Sequence, residues 1–380
     1  MRWRDTSGAP AGAVTPVEIF FDIVFVFTLT QLTRTLEADL TLPGVGRILL
    51  VFCVLWWMYG GYAWLTNHVP PRRPSQKLLL FAGMAGFFVA AIGIPGAFSE
   101  TGIIFGTGYF IVICVHLLLF TQADALAGVA RLAPFNIGAA LLVLAAGFQR
   151  GTAVYVFWLA AFVLMAVVPY LVPRLSWVGA ARSFHITPAH FVERHALLLI
   201  IALGESVIAI GMGVDTSHLG AGMLGMIVLA LLLPSALWWA YFTDVPAAER
   251  ALYDAQGERR SLLSTKAYFF AHIPVLLGII VAAAGIHSAI AHPADPATPA
   301  AAAALSGGVA LFLFGMAHFR RSLRIASVPA RLLAGLAILT TIPVGLLVSS
   351  GAQLAAVVVV MIAMLAMYRR EHAPPAQAGA

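Results

Sequence analysis

The chain alternates long apolar runs with short polar segments. A helix that crosses a membrane needs about 20 mostly apolar residues to span a hydrocarbon core of ~30 Å. Twelve runs approach this length: residues 17–35, 44–66, 77–97, 102–121, 134–149, 152–172, 192–213, 220–243, 266–291, 301–319, 330–350 and 352–368. The pattern therefore predicts an all-α polytopic membrane protein with about 12 transmembrane helices and no soluble domain.

Composition supports lipid as the solvent for most of the chain. Of the 380 residues, 61% are hydrophobic and 10% are charged, whereas soluble domains carry roughly 25% charged residues. The net charge of +6 could suggest nucleic acid, but the basic residues lie between apolar runs and form no continuous stripe. Cys53 and Cys114 lie in the middle of apolar runs, which is typical of small core residues. The sequence thus predicts no nucleic-acid partner, no disulfide, no cofactor and no metal site.

The distribution of Lys and Arg orients the predicted helices. Eighteen of the 22 basic residues fall on one side of the alternating pattern. Because cytoplasmic loops carry an excess of Lys and Arg, this bias places both termini in the cytoplasm. We expect a multi-pass protein of the bacterial cytoplasmic (inner) membrane.

Three pairs of similar sequence segments predict an internal repeat. "TPVEIFFD" and "TPAHFVER" open spans one and seven, "LWWMYGG" and "LWWAYFT" lie in spans two and eight, and "SQKLLLFAG" and "STKAYFFAH" open spans three and nine. Six spans per half give both halves the same orientation, as in parallel-repeat transporters. The predicted segments are a cytoplasmic N-terminal segment (1–16), the first six-helix repeat (17–172), a cytoplasmic linker (173–191), the second repeat (192–368) and a disordered cytoplasmic tail (369–380).

Charged side chains inside the spans are the first functional candidates, because burying a charge in a bilayer costs ~2.5 kcal/mol or more. Glu18 and Asp22 lie one turn apart on one face of span one. Aligning the two repeat motifs places Asp22 opposite Arg194, which predicts an ion pair and a contact between spans one and seven. Glu205 lies deep in span seven, either as a proton carrier or as a neutral acid bonded to a neighbouring helix.

Other polar residues in the spans complete the candidate transport pathway or intramembrane polar network. The further primary candidates are Thr30, Gln31, Thr33, Glu193, His195 and Ser206, and the secondary candidates are His116, His272 and His287. His190, Glu193 and His195 follow steps of three and two residues, so the two histidines do not share a helix face and no zinc motif is present.

Two further patterns have structural interpretations. "GAGMLG" at 220–225 begins a membrane span with no preceding strand, so we interpret its glycines as helix-packing residues, like Gly102 and Gly106. Aromatic clusters at span ends are typical of the membrane–water interface. They comprise Trp56, Trp57 and Tyr59, and Trp238, Trp239 and Tyr241.

Two motifs carry a resemblance to a known family. "TPVEIFFDIVFVFTLTQLT" together with "HFVERHALLLIIALGESVIAIG" resembles the bacterial low-temperature-requirement protein A (LtrA) family, over most of the chain. The resemblance implies a polytopic inner-membrane protein named for a growth phenotype in the cold, without a biochemical activity to carry over. "FFDIVFVFT" is also similar to the F-S-D motif on the first helix of a family of lysosomal and bacterial potassium channels, with Phe21 in place of the Ser.

These observations favour a transporter of a small solute or ion, proton-coupled through Asp22 and Glu205. A cation channel with the first helix of each repeat around a pore is the alternative. A membrane-embedded enzyme using the histidines and carboxylates, or a non-transporting membrane factor, also stays open. The expected partners are membrane lipid and protons, small ions or a small solute, and the sequence leaves open whether the chain forms a homo-oligomer.

Overall fold

Every regular element of the described chain is a helix. The structure, a computed structural model, describes residues 14–68, 70–121, 126–168, 186–212, 214 and 220–371, and these residues include no strand. The predicted N-terminal segment, linker and tail fall largely outside these ranges. Together with the apolar character of the helices, this makes the chain an all-α polytopic membrane protein in a lipid environment.

The first half of the chain contains six helices: Pro16–Ala38 (α1), Leu42–His68 (α2), Pro74–Gly93 (α3), Gly102–Phe120 (α4), Leu126–Ala146 (α5) and Thr152–Phe162 (α6). A 3₁₀ turn, Ile94–Gly96, extends α3, and a π-helical turn, Val163–Val167, extends α6.

The second half is more interrupted. Its helices are Pro188–Met212 (α7), Ala221–Phe242 (α8), Val245–Asp254 (α9), Gly257–Ser264 (α10), His272–Ala291 (α11), Pro299–Leu323 (α12), Pro329–Leu339 (α13), Ile342–Leu347 (α14) and Ser350–Glu371 (α15). A π-helical turn, Thr265–Phe270, joins α10 to α11.

Nine helical stretches in the described ranges are long and apolar enough to cross a membrane. Two shorter apolar stretches, Leu132–Ala146 and Thr152–Val167, overlap predicted spans five and six. Helix α7 overlaps predicted span seven. The number twelve stays a prediction, although each predicted span overlaps a described helix.

Some helix boundaries differ from the predicted ones. Helix α5 begins at Leu126, upstream of the predicted start at 134, and runs through Pro134. The predicted span 330–350 is broken near Thr341 into α13 and α14. At this break the hydroxyl groups of Ser306 and Thr341 lie 2.8 Å apart, and the Gln353 side chain donates to Ser306 at 2.7 Å. The Thr341 hydroxyl also lies 2.7 Å from the Ile338 carbonyl oxygen, to which it donates, and so satisfies one backbone carbonyl at the break.

Two helix pairs cross at backbone distance. A Cβ built on Gly86 of α3 would lie 3.0 Å from the carbonyl oxygen of Gly108 on α4. A Cβ on Gly278 of α11 would lie 2.5 Å from the amide nitrogen of Phe312 on α12. Lipid tails are as apolar as the helix surfaces, so no hydrophobic effect drives membrane helices together. Close approach of the backbones allows van der Waals packing to stabilise the helix pair instead.

Glycines elsewhere test the predicted packing sites. A Cβ on Gly106 would lie 2.6 Å from the Leu144 Cα, so the prediction of close packing at Gly102 and Gly106 is confirmed. Gly222 and Gly225 have no neighbouring atom of the described chain within 4 Å of a built Cβ, so the same prediction is wrong for them.

The aromatic cluster of α2 faces the protein and not the lipid headgroups. Trp56 and Tyr59 are buried, and Phe25 of α1 stacks on Tyr59 with ring centroids 4.3 Å apart. The interfacial prediction is therefore wrong for this cluster. In contrast, Trp238 and Trp239 at the end of α8 are 42% and 50% exposed, as residues of an interfacial belt would be.

Candidate functional site

The site begins at the first turn of α1, which packs against α7. Thr15 precedes the helix, and its backbone N–H and hydroxyl donate to the Glu18 carboxylate at 2.9 and 2.7 Å. This arrangement holds the negative charge at the positive end of the helix dipole. The Glu18 side chain is fully buried, and the next groups that it contacts belong to α7.

Arg194 of α7 links the two carboxylates of α1. Its guanidinium donates to Asp22 Oδ1 from Nε at 3.3 Å and from Nη2 at 3.1 Å. Nη1 donates to Glu18 Oε1 at 3.3 Å and to the hydroxyl of Thr66 on α2. The predicted pairing of Asp22 with Arg194 is therefore confirmed, and the side chains of the pair are 0% and 1% exposed.

Aromatic rings cover the remaining faces of the guanidinium. The Arg194 Cζ lies 5.6 Å from the centroid of the Phe21 ring and 5.7 Å from that of the Tyr59 ring. Both distances permit cation–π attraction, which is stronger where water is excluded. The positive charge is thus compensated within the protein by two carboxylates and two rings.

His190 provides the second contact between α1 and α7. Its Nε2 lies 3.1 Å from Glu18 Oε1, and its Nδ1 lies 3.0 Å from Asn67 Nδ2. The Asn67 amide is oriented by Thr187, whose N–H donates to Asn67 Oδ1 at 3.0 Å. Because Asn67 Nδ2 can only donate, Nδ1 of His190 must accept, and the hydrogen bond network assigns a neutral imidazole with its proton on Nε2.

In this cluster Asp22 Oδ2 and the Tyr59 hydroxyl bond no other described group, and these two groups lie close enough to interact with each other. With His190 neutral, the two carboxylates face one guanidinium. The fully ionised cluster therefore carries one uncompensated negative charge, which a single proton would neutralise. Buried clusters with such an imbalance are costly unless a proton or cation is bound.

A cavity lies toward the other end of the same helices. It measures about 70 Å³ and is lined by residues of α1, α7 and α11. The polar lining residues are Thr30, Thr33, Arg34, Glu37, Ser206 and His287. Four of these, Thr30, Thr33, Ser206 and His287, are predicted candidates, so α1, α7 and α11 bring them together although they come from distant parts of the sequence.

Other candidates lie elsewhere. Glu193 is exposed and accepts from the Val14 N–H at 3.2 Å, on a different face of α7 from Arg194. Gln31 is half-buried and does not line the cavity. His116 packs on Tyr62 with ring centroids 5.1 Å apart. The side chain of Glu205 lies outside the described part of the structure.

His195 belongs to an aromatic cluster behind the charged network. Its ring centroid lies 5.4 Å from that of His272 and 5.0 Å from that of Tyr268. His272 Nε2 lies 2.9 Å from the Tyr241 hydroxyl, and each histidine directs Nδ1 at a backbone carbonyl. The two histidines therefore pack and cap the backbone in this cluster, and neither contacts Arg194.

Comparison with known proteins identifies the lineage of this chain. Residues 13–366 match the family described as bacterial low temperature requirement A protein (LtrA). The match covers nearly the whole chain and includes both helices of the charged network. The chain belongs to the LtrA family. It is also 29% identical, over 80% of its length, to the "Uncharacterized protein RA0937" of Rhizobium meliloti (strain 1021), covering 76% of that protein.

A second buried ion cluster of this LtrA protein ties α8, α12 and α13 together. Arg320 donates two parallel hydrogen bonds to Asp244, each 2.7 Å long. Arg331 donates to Asp244 at 3.4 Å and to the Ala240 carbonyl at 2.7 Å. The bidentate geometry and full burial are typical of a structural anchor between helix ends.

Some residues of the network lie outside the predicted candidates, although the sequence contains a signal for them. The alignment that pairs Asp22 with Arg194 also pairs Glu18 with His190, one turn earlier. A metal-ligand motif is therefore not the relevant signal for His190. Thr66 and Asn67 end span two as a polar pair, but nothing in a single sequence states which helix they face. No group of three or more acidic, His or Cys side chains in the described ranges is arranged to hold a metal ion.

Proposed function

We propose that this LtrA protein is a transporter of a small solute or ion, in which α1 and α7 form the interface that opens and closes. The main support for this proposal is the distribution of polar groups along this one helix pair. One end is closed by the buried cluster of Glu18, Asp22, His190 and Arg194, and the other end borders a cavity. Asp22 and Thr33 are 11 residues apart, which is ~16 Å along a helix, so the two sites occupy different depths.

The proposed architecture consists of two six-helix repeats, at 17–172 and 192–368, related by an axis along the membrane normal. Two contacts support it directly. Glu18 faces His190 and Asp22 faces Arg194, and the members of each pair are 172 residues apart in sequence. Residues that contact their own counterparts lie next to a twofold axis, so the axis would pass between α1 and α7.

The glycine crossings support the same repeat. Gly86, Ala90 and Gly93 on α3 have the same spacing as Gly278, Ala282 and Gly285 on α11. On the partner helices, Gly108 of α4 meets the backbone of Ala90, and Gly308 of α12 meets the backbone of Ala282. Gly93 meets Phe105, and Gly285 meets Leu305, in the same relation. Twelve spans and cytoplasmic termini in the inner membrane complete this proposal, on the distribution of basic residues described above.

Charge counting supports proton coupling through the network. Opening the α1–α7 interface would expose two carboxylates and one guanidinium to water. Closing the interface would bury these three groups together with their net charge of one negative. A proton on Asp22, whose carboxyl group lies beside the Tyr59 hydroxyl, would neutralise the closed cluster. Closure would then require protonation, which is the minimal coupling that a proton-driven transporter needs.

The same geometry favours transport over conduction. A cation pore along the proposed axis would pass Arg194, whose fixed positive charge repels cations in a medium of low dielectric constant. The aromatic side chains Phe25 and Tyr59 are fully buried beside this position and stack on each other. The enzyme alternative has no comparable support, because His195 and His272 each direct Nδ1 at a backbone carbonyl, and His190 bonds Glu18 and Asn67.

Accessibility on the two sides of the membrane tests this proposal. In a chain with Cys53 and Cys114 replaced by Ser, Thr33→Cys reports on the cavity. Leu80→Cys reports on the closed end, since Leu80 is 1% exposed beside Thr66. Membrane-impermeant maleimide is applied to the outside of cells for Thr33→Cys and to inverted vesicles for Leu80→Cys, with and without Asp22→Asn.

A transporter predicts reciprocal changes: because Asn is neutral like protonated Asp22, Asp22→Asn favours the closed cluster, lowers the labelling of Leu80→Cys and raises that of Thr33→Cys. Glu100→Gln, an exposed loop residue, is the control and should change neither. An increase at both positions would indicate a continuous pore and would overturn transport in favour of the channel. Unchanged labelling at both positions in a folded variant would show that the network is only structural.

A further inference from the structure

A wide groove on the predicted cytoplasmic side is separate from the α1–α7 interface. It holds about 1190 Å³ and lies between α9, α10 with its π-helical turn, and the end of α12. Pockets of ~300–1,000 Å³ accommodate drug-sized molecules, so this groove could hold a headgroup together with part of an acyl chain.

Basic side chains dominate the polar lining of the groove. They are Arg250, Arg259, Lys266, His318, Arg321 and Arg324. Asp254 is the only carboxylate among its described lining residues. Five permanent cations therefore face one anion, and the cations come from three separate helical segments. Such convergence produces a local field that attracts phosphate.

The backbone at the end of α12 contributes to this convergence. Arg324 ends the helix in the left-handed conformation, with φ 57°, the only positive φ among the described non-glycine residues. The following N–H, of Ile325, donates back to the Arg320 carbonyl at 3.3 Å. This sharp turn brings Arg321, Arg324 and Ile325 to the wall of one groove.

Apart from Ser322, the rest of the lining is apolar. Leu263, Phe270, Leu323 and Ile325 form part of the groove wall, and the first two and Ile325 are half-buried. A free phosphate or a soluble phosphorylated solute would leave this surface in water. A phospholipid would cover it with its glycerol backbone and the start of its acyl chains, so the combined surface matches an amphipathic ligand.

The position of the groove in the fold is suitable for binding a phospholipid. Helix α9 follows the exposed Trp238 and Trp239 at the end of α8, and it buries Ala248 and Leu252 while Tyr253 is exposed. An amphipathic helix that follows an aromatic belt lies at the level of the lipid headgroups. The groove thus opens where headgroups of the cytoplasmic leaflet are available.

We propose that this groove binds an anionic phospholipid, with the phosphate among Arg259, Lys266 and Arg321 and the apolar part against Phe270 and Leu263. Arginine side chains bind phosphate through paired N–H groups, and basic pockets between helices on the cytoplasmic side suit such headgroups. This proposal does not depend on transport. It concerns a bound lipid that fixes α9 and α10 to the bundle.

The test compares two variants that each remove three positive charges from the same predicted side. The groove variant is Arg259→Gln, Lys266→Gln and Arg321→Gln. The control variant is Arg72→Gln, Arg73→Gln and Lys77→Gln, at exposed residues before and in α3. The full chain is purified in detergent, and native mass spectrometry at low ionic strength measures binding of phosphatidylglycerol and phosphatidylcholine.

We expect the wild-type chain and the control to bind phosphatidylglycerol more tightly than phosphatidylcholine, and the groove variant to bind it about 100-fold more weakly. Equal losses in both variants would indicate general surface attraction and would overturn the proposal. Displacement of the lipid by inorganic phosphate at equal concentration would overturn it in favour of a soluble anion site.

A single pair of variants keeps the test decisive if the triple variant does not fold. Lys266→Gln removes a groove cation, and Lys77→Gln removes its proposed repeat counterpart. We expect Lys266→Gln to lower the preference for phosphatidylglycerol over phosphatidylcholine about fivefold, and Lys77→Gln to leave this preference unchanged. This result would support lipid binding in the groove. The reverse order would contradict it.

Discussion

Two buried histidines differ in what their ring nitrogens contact. His190 bridges Glu18 and Asn67 through both ring nitrogens, so the imidazole is part of the charged network. Neither ring nitrogen of His116 has a hydrogen-bond partner in the described part of the chain, and its ring packs against Phe120 with centroids 4.8 Å apart. The same residue type is therefore a polar link in one place and a packing ring in the other.

This difference predicts opposite outcomes for one substitution. His190→Phe removes the donor to a buried carboxylate and should lower the free energy of unfolding by about 1–3 kcal/mol. His190→Gln keeps an N–H donor and should recover part of the loss. His116→Phe removes two unsatisfied nitrogens and should be neutral or stabilising. Thermal unfolding of the purified variants in detergent measures all three, and an equal loss for both Phe variants would contradict the assignment.

Residue-level prediction succeeded where the repeat supplied a second copy to compare. Asp22 and Arg194 could be paired because their motifs align, and a buried charge must find a partner. Trp56 and Tyr59 were placed at the membrane interface because hydropathy reports depth in a span but not which face of the helix meets protein. That information depends on neighbouring helices, which a single sequence does not specify.

At the scale of helices, the α11–α12 pair depends on the absence of side chains at the crossing. Gly308 meets the backbone of Ala282, so a Cβ there would force the helices apart. The adjacent Gly307 has no neighbouring atom of the described chain within 4 Å of a built Cβ. Gly307 and Gly308 lie at almost the same depth along α12. They differ mainly in that Gly308 faces α11 and Gly307 does not.

Alanine at these two glycines should therefore act in opposite directions. Gly308→Ala should lower the free energy of unfolding by about 1–3 kcal/mol through overpacking. Gly307→Ala should raise it by up to about 1 kcal/mol, because alanine has the higher helix propensity. Melting temperatures in detergent give the comparison. If Gly307→Ala were as destabilising as Gly308→Ala, the close crossing would not be the cause.

Helix existence followed from the sequence, whereas helix ends and breaks did not. Apolar length alone located a helix at every predicted span. The apolar pattern predicts a span that starts at Pro134, yet α5 runs through this residue, because neighbouring packing can compensate for one missing N–H. Apolar length does not predict the break near Thr341, since the Thr341 hydroxyl bonds Ser306 on another helix, and Ser306 in turn accepts from Gln353.

At the scale of the whole molecule, the proposed topology fixes the side on which each loop lies. Cysteines at Glu100 and Asp295, both exposed, should react with an impermeant maleimide from outside intact cells. Cysteines at Arg73 and Asp254, also exposed, should react only in inverted vesicles. This pattern follows from twelve alternating spans with cytoplasmic termini. A cysteine that reacts only from the opposite side would show that the span count or the orientation is wrong.

The pairing of counterpart residues at the proposed axis has an evolutionary consequence. In a homodimer of one half, residues that lie next to the twofold axis contact their own copies. Two first halves would oppose Asp22 with Asp22, and two second halves would oppose Arg194 with Arg194. Either assembly would bury like charges against each other. The salt bridge observed between α1 and α7 is therefore available only to a fused chain whose halves have diverged, and exchanging one half for a copy of the other should abolish assembly.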